Sequence, residues 1–166
     1  MIPSSALQLQ KEIRILLYIL ICALIISGIT AFPIESELRI ADYLIALFNF
    51  DYPMAKWLRR VYIGIHETNM KHPFISYGTD WLAFAHLIFA ILFVGPLKDP
   101  VRNIWVIEFG MVACIGALPL AIIAGSVREV PLFWRMIDCS FGIGGFFVLL
   151  ACYKRIKKLE LSRETI

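Results

Sequence analysis

The stretch FGMVACIGALPLAIIAGSV, residues 109–127, contains 19 residues and no charged side chain. A helix rises about 1.5 Å per residue and the hydrocarbon core of a bilayer is about 30 Å thick, so about 20 apolar residues cross it. Residues 101–108 extend the stretch backwards, and together they are long enough to span a membrane. Because backbone polar groups in lipid must find partners within the segment, the span must be helical.

Three other stretches are similarly long and apolar. They have 18, 17 and 22 residues: the first is uncharged, the second contains one histidine, and the third contains one arginine and one aspartate. We therefore predict an all-α integral membrane protein with four transmembrane helices in a single domain, residues 1–166. The predicted spans cover, in order, residues 13–33, 80–97, 100–126 and 131–153.

The composition supports this prediction. Hydrophobic residues make up 60% of the 166 residues and charged residues 17%, whereas soluble domains have about 45–50% and about 25%. This excess excludes a disordered chain, a nucleic-acid-binding tail and an ordinary cytosolic enzyme. The lipid bilayer is the expected partner, and no nucleic acid is expected.

The segment between the first two spans, residues 34–79, shows an amphipathic pattern. Two helices are predicted in it, over residues 36–48 and 53–66, with apolar residues on one face and charged residues on another. Such helices lie on a membrane surface or cover the end of a bundle. We therefore expect residues 34–79 to form a helical cap.

Capping residues and prolines predict where the later spans begin and bend. Thr79 and Asp80 fit the N-cap of the second span, and Asp99 followed by Pro100 fits the start of the third. Pro119 lies inside the third span, where it should kink the helix.

The lysines and arginines predict the orientation in the membrane. With four spans the two termini share a side, and the segments there (residues 1–14, 98–102 and 154–166) hold nine Lys/Arg in 32 residues. The opposite segments (33–80 and 126–135) hold seven in 58. Because cytoplasmic loops carry an excess of Lys and Arg, we expect cytoplasmic termini and an outward-facing cap, in a bacterial inner membrane.

Small residues recur at every fourth position in three of the spans. They are Ala23, Ser27 and Ala31 in the first, Ala113, Ala117, Ala121 and Gly125 in the third, and Ser140 and Gly144 in the fourth. In lipid such faces let helix backbones approach closely. They predict a compact bundle, and they offer a surface to a membrane-protein partner or a second copy of the chain.

Ionisable residues inside spans are costly and usually face a partner or a water-filled cavity. His86 in the second span and Asp138 in the fourth lie at similar depths below the outer side, and Arg135 can pair with Asp138 at i, i+3. The candidate ligand-binding cluster is therefore His86, Asp138 and Arg135, roofed by Asp80, Glu35 and Arg128. The alternative interpretation is a structural network that ties the helices together.

Glu108 is the remaining intramembrane charge. It lies about 12 Å inside the third span and has no obvious partner in the sequence. With His86 and Asp138 it could serve a membrane enzyme or a proton-coupled carrier. The alternative is again a structural role, and no catalytic motif identifies catalytic residues.

Cofactors find little support in the sequence. Bis-histidine haem ligation needs two facing histidines, and His86 is the only intramembrane one, so His66, His72 or a methionine would have to supply the second ligand. The outer-loop set His66, Glu67 and His72 lacks a recognised metal-site spacing. We predict neither a metal nor another cofactor and retain a haem protein as an alternative.

Residues 77–82 and 128–135 combine Trp, Tyr, Arg and acidic residues at the outer interface. This pattern fits an aromatic belt or a mouth for an amphipathic ligand. The leading prediction is a small polytopic membrane protein, a binding or scaffold component, whose outer-side polar cavity takes a lipid-like or quinone-like ligand.

Overall fold

The computed structural model describes residues 4–164 and the side chains of residues 6–162. Within this range the chain forms helices and turns and no β-strand. The helices are α1 (Ser4–Ala31), α2 (Ile34–Leu47), α3 (Pro53–Lys71), α4 (Tyr77–Leu92), α5 (Val94–Lys98), α6 (Ile104–Pro119), α7 (Gly125–Val127) and α8 (Leu132–Glu164). A 3-10 turn, Pro73–Ile75, precedes α4, and a π-helical turn, Leu120–Ala124, joins α6 to α7.

Four helical stretches are long and apolar enough to cross a membrane: Ala6–Ala31, Pro73–Lys98, Ile104–Val127 and Leu132–Ser162. They indicate an integral membrane protein and confirm the predicted all-α fold with four spans. The shorter helices α2 and α3 lie between the first two spans, where the cap was predicted.

The second span begins earlier than Thr79 and Asp80 suggest. The backbone N–H groups of both residues donate to the carbonyl oxygen of Ser76, at 2.9 and 3.2 Å. Helix α4 consequently begins at Tyr77, and Asp80 lies in its first turn. The prediction that Thr79 and Asp80 form the N-cap is wrong, because the chain already turns helically at Ser76.

The third span begins at Ile104, four residues later than the predicted start at residue 100. The amide Nδ2 of Asn103 donates to the carbonyl oxygens of Gly95 at 3.1 Å and Asp99 at 2.9 Å. These bonds hold residues 99–103 as a separate turn. The Asp99 side chain accepts from the Arg102 N–H at 3.3 Å, so it caps this turn and not α6.

Pro119 disturbs the third span because proline has no backbone N–H to donate to the helix. It is the last residue of α6, and the chain continues as the π-helical turn Leu120–Ala124. Such π-helical turns leave carbonyl groups outside the regular pattern of i to i−4 bonds. The disturbance predicted at Pro119 in the third span therefore takes the form of a change from α-helix to a π-helical turn.

The chain divides into two compact units. The first contains α1 up to Ala23 and everything from Phe89 onward. Its most completely buried large side chains come from α1, α6 and α8: Ile13, Leu17, Ile107, Leu149, Ile156 and Leu159. At the same end of the unit, Arg155 Nε of α8 donates to Glu12 Oε2 of α1 at 2.7 Å.

Small residues bring α6 and α8 together within this unit. A Cβ atom added to Gly142 would lie 3.0 Å from the carbonyl oxygen of Cys114, and one added to Gly145 would lie 3.0 Å from the Cys114 sulfur. Gly144 has open space around it and Ser140 is exposed. The predicted face of Ser140 and Gly144 is therefore not the face of α8 that meets α6.

The second unit, Leu24–Ile88, contains the antiparallel pair α2 and α3. Arg59 Nε of α3 donates to Asp42 Oδ1 of α2 at 2.7 Å, and the side chains of Ile45 and Ala55 are buried. Asn49, with φ of 52°, adopts the left-handed conformation that Asn tolerates best after Gly, and it turns the chain between the two helices.

Close backbone packing between α1 and α4 generates a stability prediction. A Cβ atom at Gly28 would lie 2.9 Å from the Ala83 carbonyl oxygen and 2.9 Å from Leu87 Cδ2. We expect Gly28→Ala to lower the free energy of unfolding by about 1–3 kcal/mol, the usual cost of overpacking. Thermal unfolding in an uncharged detergent measures the change.

Gly144→Ala in α8 is the matched control, because nothing lies within 4 Å of its Cβ position. An alanine there removes the helix cost of glycine, about 0.5–1 kcal/mol. Equal unfolding temperatures for the two variants would contradict the close approach of α1 and α4.

Candidate functional site

A chain of hydrogen bonds links α2 and α3 to the segment that leads into α4. His66 Nδ1 lies 2.7 Å from Glu35 Oε1, and Asn69 Nδ2 donates to Glu35 Oε2 at 2.5 Å. Ser76 Oγ in turn donates to Asn69 Oδ1. His66 and Asn69 share one face of α3 because they are three residues apart, and the Tyr62 ring stacks on the His66 ring with centroids 5.8 Å apart.

Glu35 is held as an acceptor on both carboxylate oxygens. The hydrogen bond with His66 is the main cause that lowers the pKa of Glu35 below its usual 4.5, the bond from Asn69 adds to it, and partial burial opposes both. The positive charge of Arg39 contributes in the same direction. Glu35 also lies in the first turn of α2, where helix geometry favours a negative charge.

A concavity of about 240 Å³ adjoins this network, and we call it the polar pocket. Its polar side chains come from α2, α3, α4 and the residue before α4. Its lining is Phe32, Pro33, Ile34, Glu35, Ser36, Asn69, Ser76, Thr79 and Asp80.

A second concavity of about 310 Å³, the aromatic cleft, is lined by Phe32, Tyr77, Asp80, Trp81 and Phe84. Three of its rings follow one another along α4. The Tyr77 and Trp81 ring centroids are 6.0 Å apart at 80°, and those of Trp81 and Phe84 are 6.1 Å apart at 86°. This edge-to-face arrangement is the favourable one for aromatic pairs.

The polar pocket and the aromatic cleft share two residues, Phe32 and Asp80. One wall therefore separates a space lined by carboxylates, an amide and hydroxyls from a space lined by rings. Of the predicted site residues, Glu35 and Asp80 line the polar pocket together.

His86 lies in the same unit but lines neither concavity. Its Nδ1 is 2.8 Å from the carbonyl oxygen of Leu82, one turn earlier in α4. Ala83 and Ala90, three residues before and four residues after His86, are buried, and His86 itself is half-buried. Its nearest polar partner is thus the backbone of its own helix.

Arg135 does not pair with Asp138. Its Nη1 donates to the carbonyl oxygen of Ile122, in the π-helical turn, at 3.4 Å. Its aliphatic stem covers Gly125, whose Cβ position would lie 2.6 Å from Arg135 Cδ. Within the described residues Nε of Arg135 is buried without a partner, and Asp138 is exposed. The predicted i, i+3 pair is therefore wrong: the Arg135 side chain lies over Gly125 and the π-helical turn.

The remaining predicted residues, Arg128 and Glu108, are exposed. Arg128 follows α7 directly. Glu108 contributes a minor electrostatic attraction to Lys157 of α8, whose ion pair is with Glu160 at 2.9 Å. Arg128 and Glu108 both belong to the first unit, and neither is among the residues that line the polar pocket or the aromatic cleft.

Sequence reasoning missed Asn69 and Ser76. The only local signal was the spacing of Asn69 from His66 on a polar face of α3. No three His, Cys, Asp or Glu residues of the described chain come together as metal ligands. His66, considered above as a haem or metal ligand, has its Nδ1 bonded to Glu35.

The lowered pKa of Glu35 generates a pH prediction for Glu35→Gln. Because the folded pKa lies below the unfolded one, the ionised carboxylate stabilises the fold fully above about pH 4.5, and this contribution is lost as the pH falls through the folded pKa. The native chain should unfold at a higher temperature than the variant at pH 6. The difference should shrink as the pH drops below 4.5.

Glu37→Gln is the control, since Glu37 shares the first turn of α2 and is exposed. It should show little difference from the native chain at any pH in unfolding scans between pH 3 and about pH 7. A pH-independent effect of Glu35→Gln would contradict the hydrogen-bonded carboxylate.

Within the described residues, polar, acidic and aromatic walls thus converge at the start of α4. No protein-family model, no curated protein and no solved structure matches this chain significantly.

Proposed function

We propose that this protein is a small integral membrane protein that binds an amphipathic, lipid-like or quinone-like molecule at the polar pocket and the aromatic cleft. The observation that carries the proposal is their shared wall of Phe32 and Asp80. A ligand with a polar group and an apolar body can satisfy both spaces at once. Sites for small molecules are typically apolar concavities with a few placed polar groups.

The position along the span supports this proposal. Tyr77 and Trp81 lie near the beginning of the second span, Pro73–Lys98. Tyr and Trp are enriched where hydrocarbon meets headgroups. Amphipathic molecules present their polar groups at this same depth, so the concavities lie where such a ligand is available.

A membrane partner is a further part of the proposal. Gly116 of α6 and Gly144 of α8 have nothing within 4 Å of their Cβ positions. These helix surfaces leave room for close approach by another helix, from a second copy or a different membrane protein.

Trp81→Ala tests the ligand proposal. Removing the central ring of the aromatic cleft should lower the occupancy of co-purified or added lipid or quinone roughly tenfold, equivalent to about 1.4 kcal/mol. Native mass spectrometry from an uncharged detergent measures the bound mass and, in the same spectrum, the number of chains in the complex.

Trp105→Ala is the matched control, because Trp105 is 54% exposed and Trp81 is 57% exposed. Trp105 lies in α6 and does not line the cleft. Equal losses in both variants would indicate nonspecific lipid attachment, and an absence of any bound amphiphile would refute the proposed function.

The orientation proposal places the cap outside and the termini in the cytoplasm, on the basis of the Lys and Arg distribution. In a background without the native cysteines, Ser36→Cys should react with a membrane-impermeant maleimide in intact cells. Lys158→Cys should react only after permeabilisation. The reverse pattern would invert the proposed orientation.

A further inference from the structure

We infer that the ligand is a cationic amphiphile, a membrane lipid whose ammonium group sits against Asp80 and the rings of the aromatic cleft. This inference rests on the proposed function and narrows its ligand class. It depends on three features of the described residues: the charges of the lining, the free carboxylate of Asp80, and the arrangement of the rings.

The charged side chains that line the two concavities are both acidic. They are Glu35 and Asp80, and no lysine, arginine or histidine is among the described lining residues. An anionic headgroup entering here would meet Asp80, which has no ion-pair partner among the described residues, and Glu35, which is already paired with His66. A cation would lose its hydration beside groups that compensate it, which is the condition for burying a charge.

The two carboxylates differ in the hydrogen-bond partners that they already have within the protein. Both oxygens of Glu35 have partners, in His66 and Asn69. Asp80 forms no ion pair and no side-chain hydrogen bond within residues 6–162, although it is half-buried. Asp80 is therefore the carboxylate with acceptor capacity left for a ligand. It lines both concavities, but the surface of the aromatic cleft is almost entirely apolar, so the polar surface lies on the side of the polar pocket.

The rings beside Asp80 provide a second, independent attraction for a cation. The ring planes of Tyr77 and Trp81 are nearly perpendicular, at 80°, and so are those of Trp81 and Phe84, at 86°. The faces of aromatic rings are electronegative, and Trp is the strongest partner for an ammonium group. An ammonium beside Asp80 can thus contact ring faces as well as the carboxylate.

A bare metal cation fits these walls less well than an ammonium. Calcium takes six to eight oxygen ligands and magnesium keeps an octahedral shell. Outside Asp80, the cleft is lined by three benzene-type rings and one indole. In the polar pocket the second carboxylate, Glu35, is already bonded to His66 and Asn69, and no three His, Cys, Asp or Glu side chains of the described residues come together to hold a metal ion. An alkylammonium group tolerates apolar walls, and its chains continue into the adjoining hydrocarbon.

The experiment compares three lipids with the same dioleoyl chains: dioleoyl trimethylammonium propane, dioleoylglycerol and dioleoyl phosphatidylglycerol. Each is titrated into the full chain in an uncharged detergent, and occupancy is read by native mass spectrometry. We expect the ammonium lipid to bind roughly tenfold more tightly than the uncharged lipid, and the anionic lipid to bind most weakly.

Asp80→Asn should remove the preference for the ammonium lipid while leaving the binding of dioleoylglycerol nearly unchanged. Asp80→Glu should keep the preference for the ammonium lipid because it keeps the negative charge. The two variants together distinguish the loss of charge from a folding defect caused by substitution at this position. Glu37→Gln, which removes an exposed acid outside both concavities, should leave all three affinities unchanged.

The outcomes separate the inference from the proposed function. Equal binding of the three lipids, lost in Trp81→Ala, would overturn the ammonium preference and leave a general amphiphile site. No binding of any lipid or quinone would overturn both. If equimolar tetramethylammonium chloride displaced the lipid, the inference of a lipid ligand would be overturned. The ammonium ligand of the site would then be a soluble cation.

Discussion

The hydrocarbon interior of a bilayer offers no hydrogen-bond partner to a peptide group, so a chain that crosses it must bond its own backbone. The four long apolar stretches of the described residues are helical, the form that meets this constraint. Where Pro119 removes a donor, the chain forms a π-helical turn instead of unwinding. Nη1 of Arg135 donates to the Ile122 carbonyl within that turn, so this carbonyl finds a donor inside the protein.

The same constraint explains how polar side chains within the spans are accommodated. Thr30 donates to the Ile26 carbonyl at 2.9 Å, and Ser140 to the Ile137 carbonyl at 2.6 Å. His86 lies against the Leu82 carbonyl in the same way. Side chains that bond to their own helix can be tolerated in lipid without a function. This local satisfaction separates His86 from Asp80, which has no such partner within the described residues.

Much of the fold could be predicted from the sequence, because span length and amphipathic period are local properties. The starts of α4 at Tyr77 and of α6 at Ile104 could not be predicted. They depend on individual hydrogen bonds of Ser76 and Asn103, which helix propensities do not include. In the candidate site, Glu35 and Asp80 were predicted from charge and position. Asn69 could not be, because it bonds to Glu35 across 34 residues of sequence.

The contrast between Glu35 and Asp80 is the strongest argument for a ligand at this place. A carboxylate with two donors stabilises the packing of α2 on α3 and needs no further explanation. Asp80 is a half-buried carboxylate that accepts no side-chain hydrogen bond among the described residues, beside the rings of the aromatic cleft. Within its own fold only the first turn of α4 favours its negative charge. Burial of a charge is unfavourable unless a partner compensates it. The ammonium group of the proposed membrane lipid supplies the partner that the described fold does not give to Asp80.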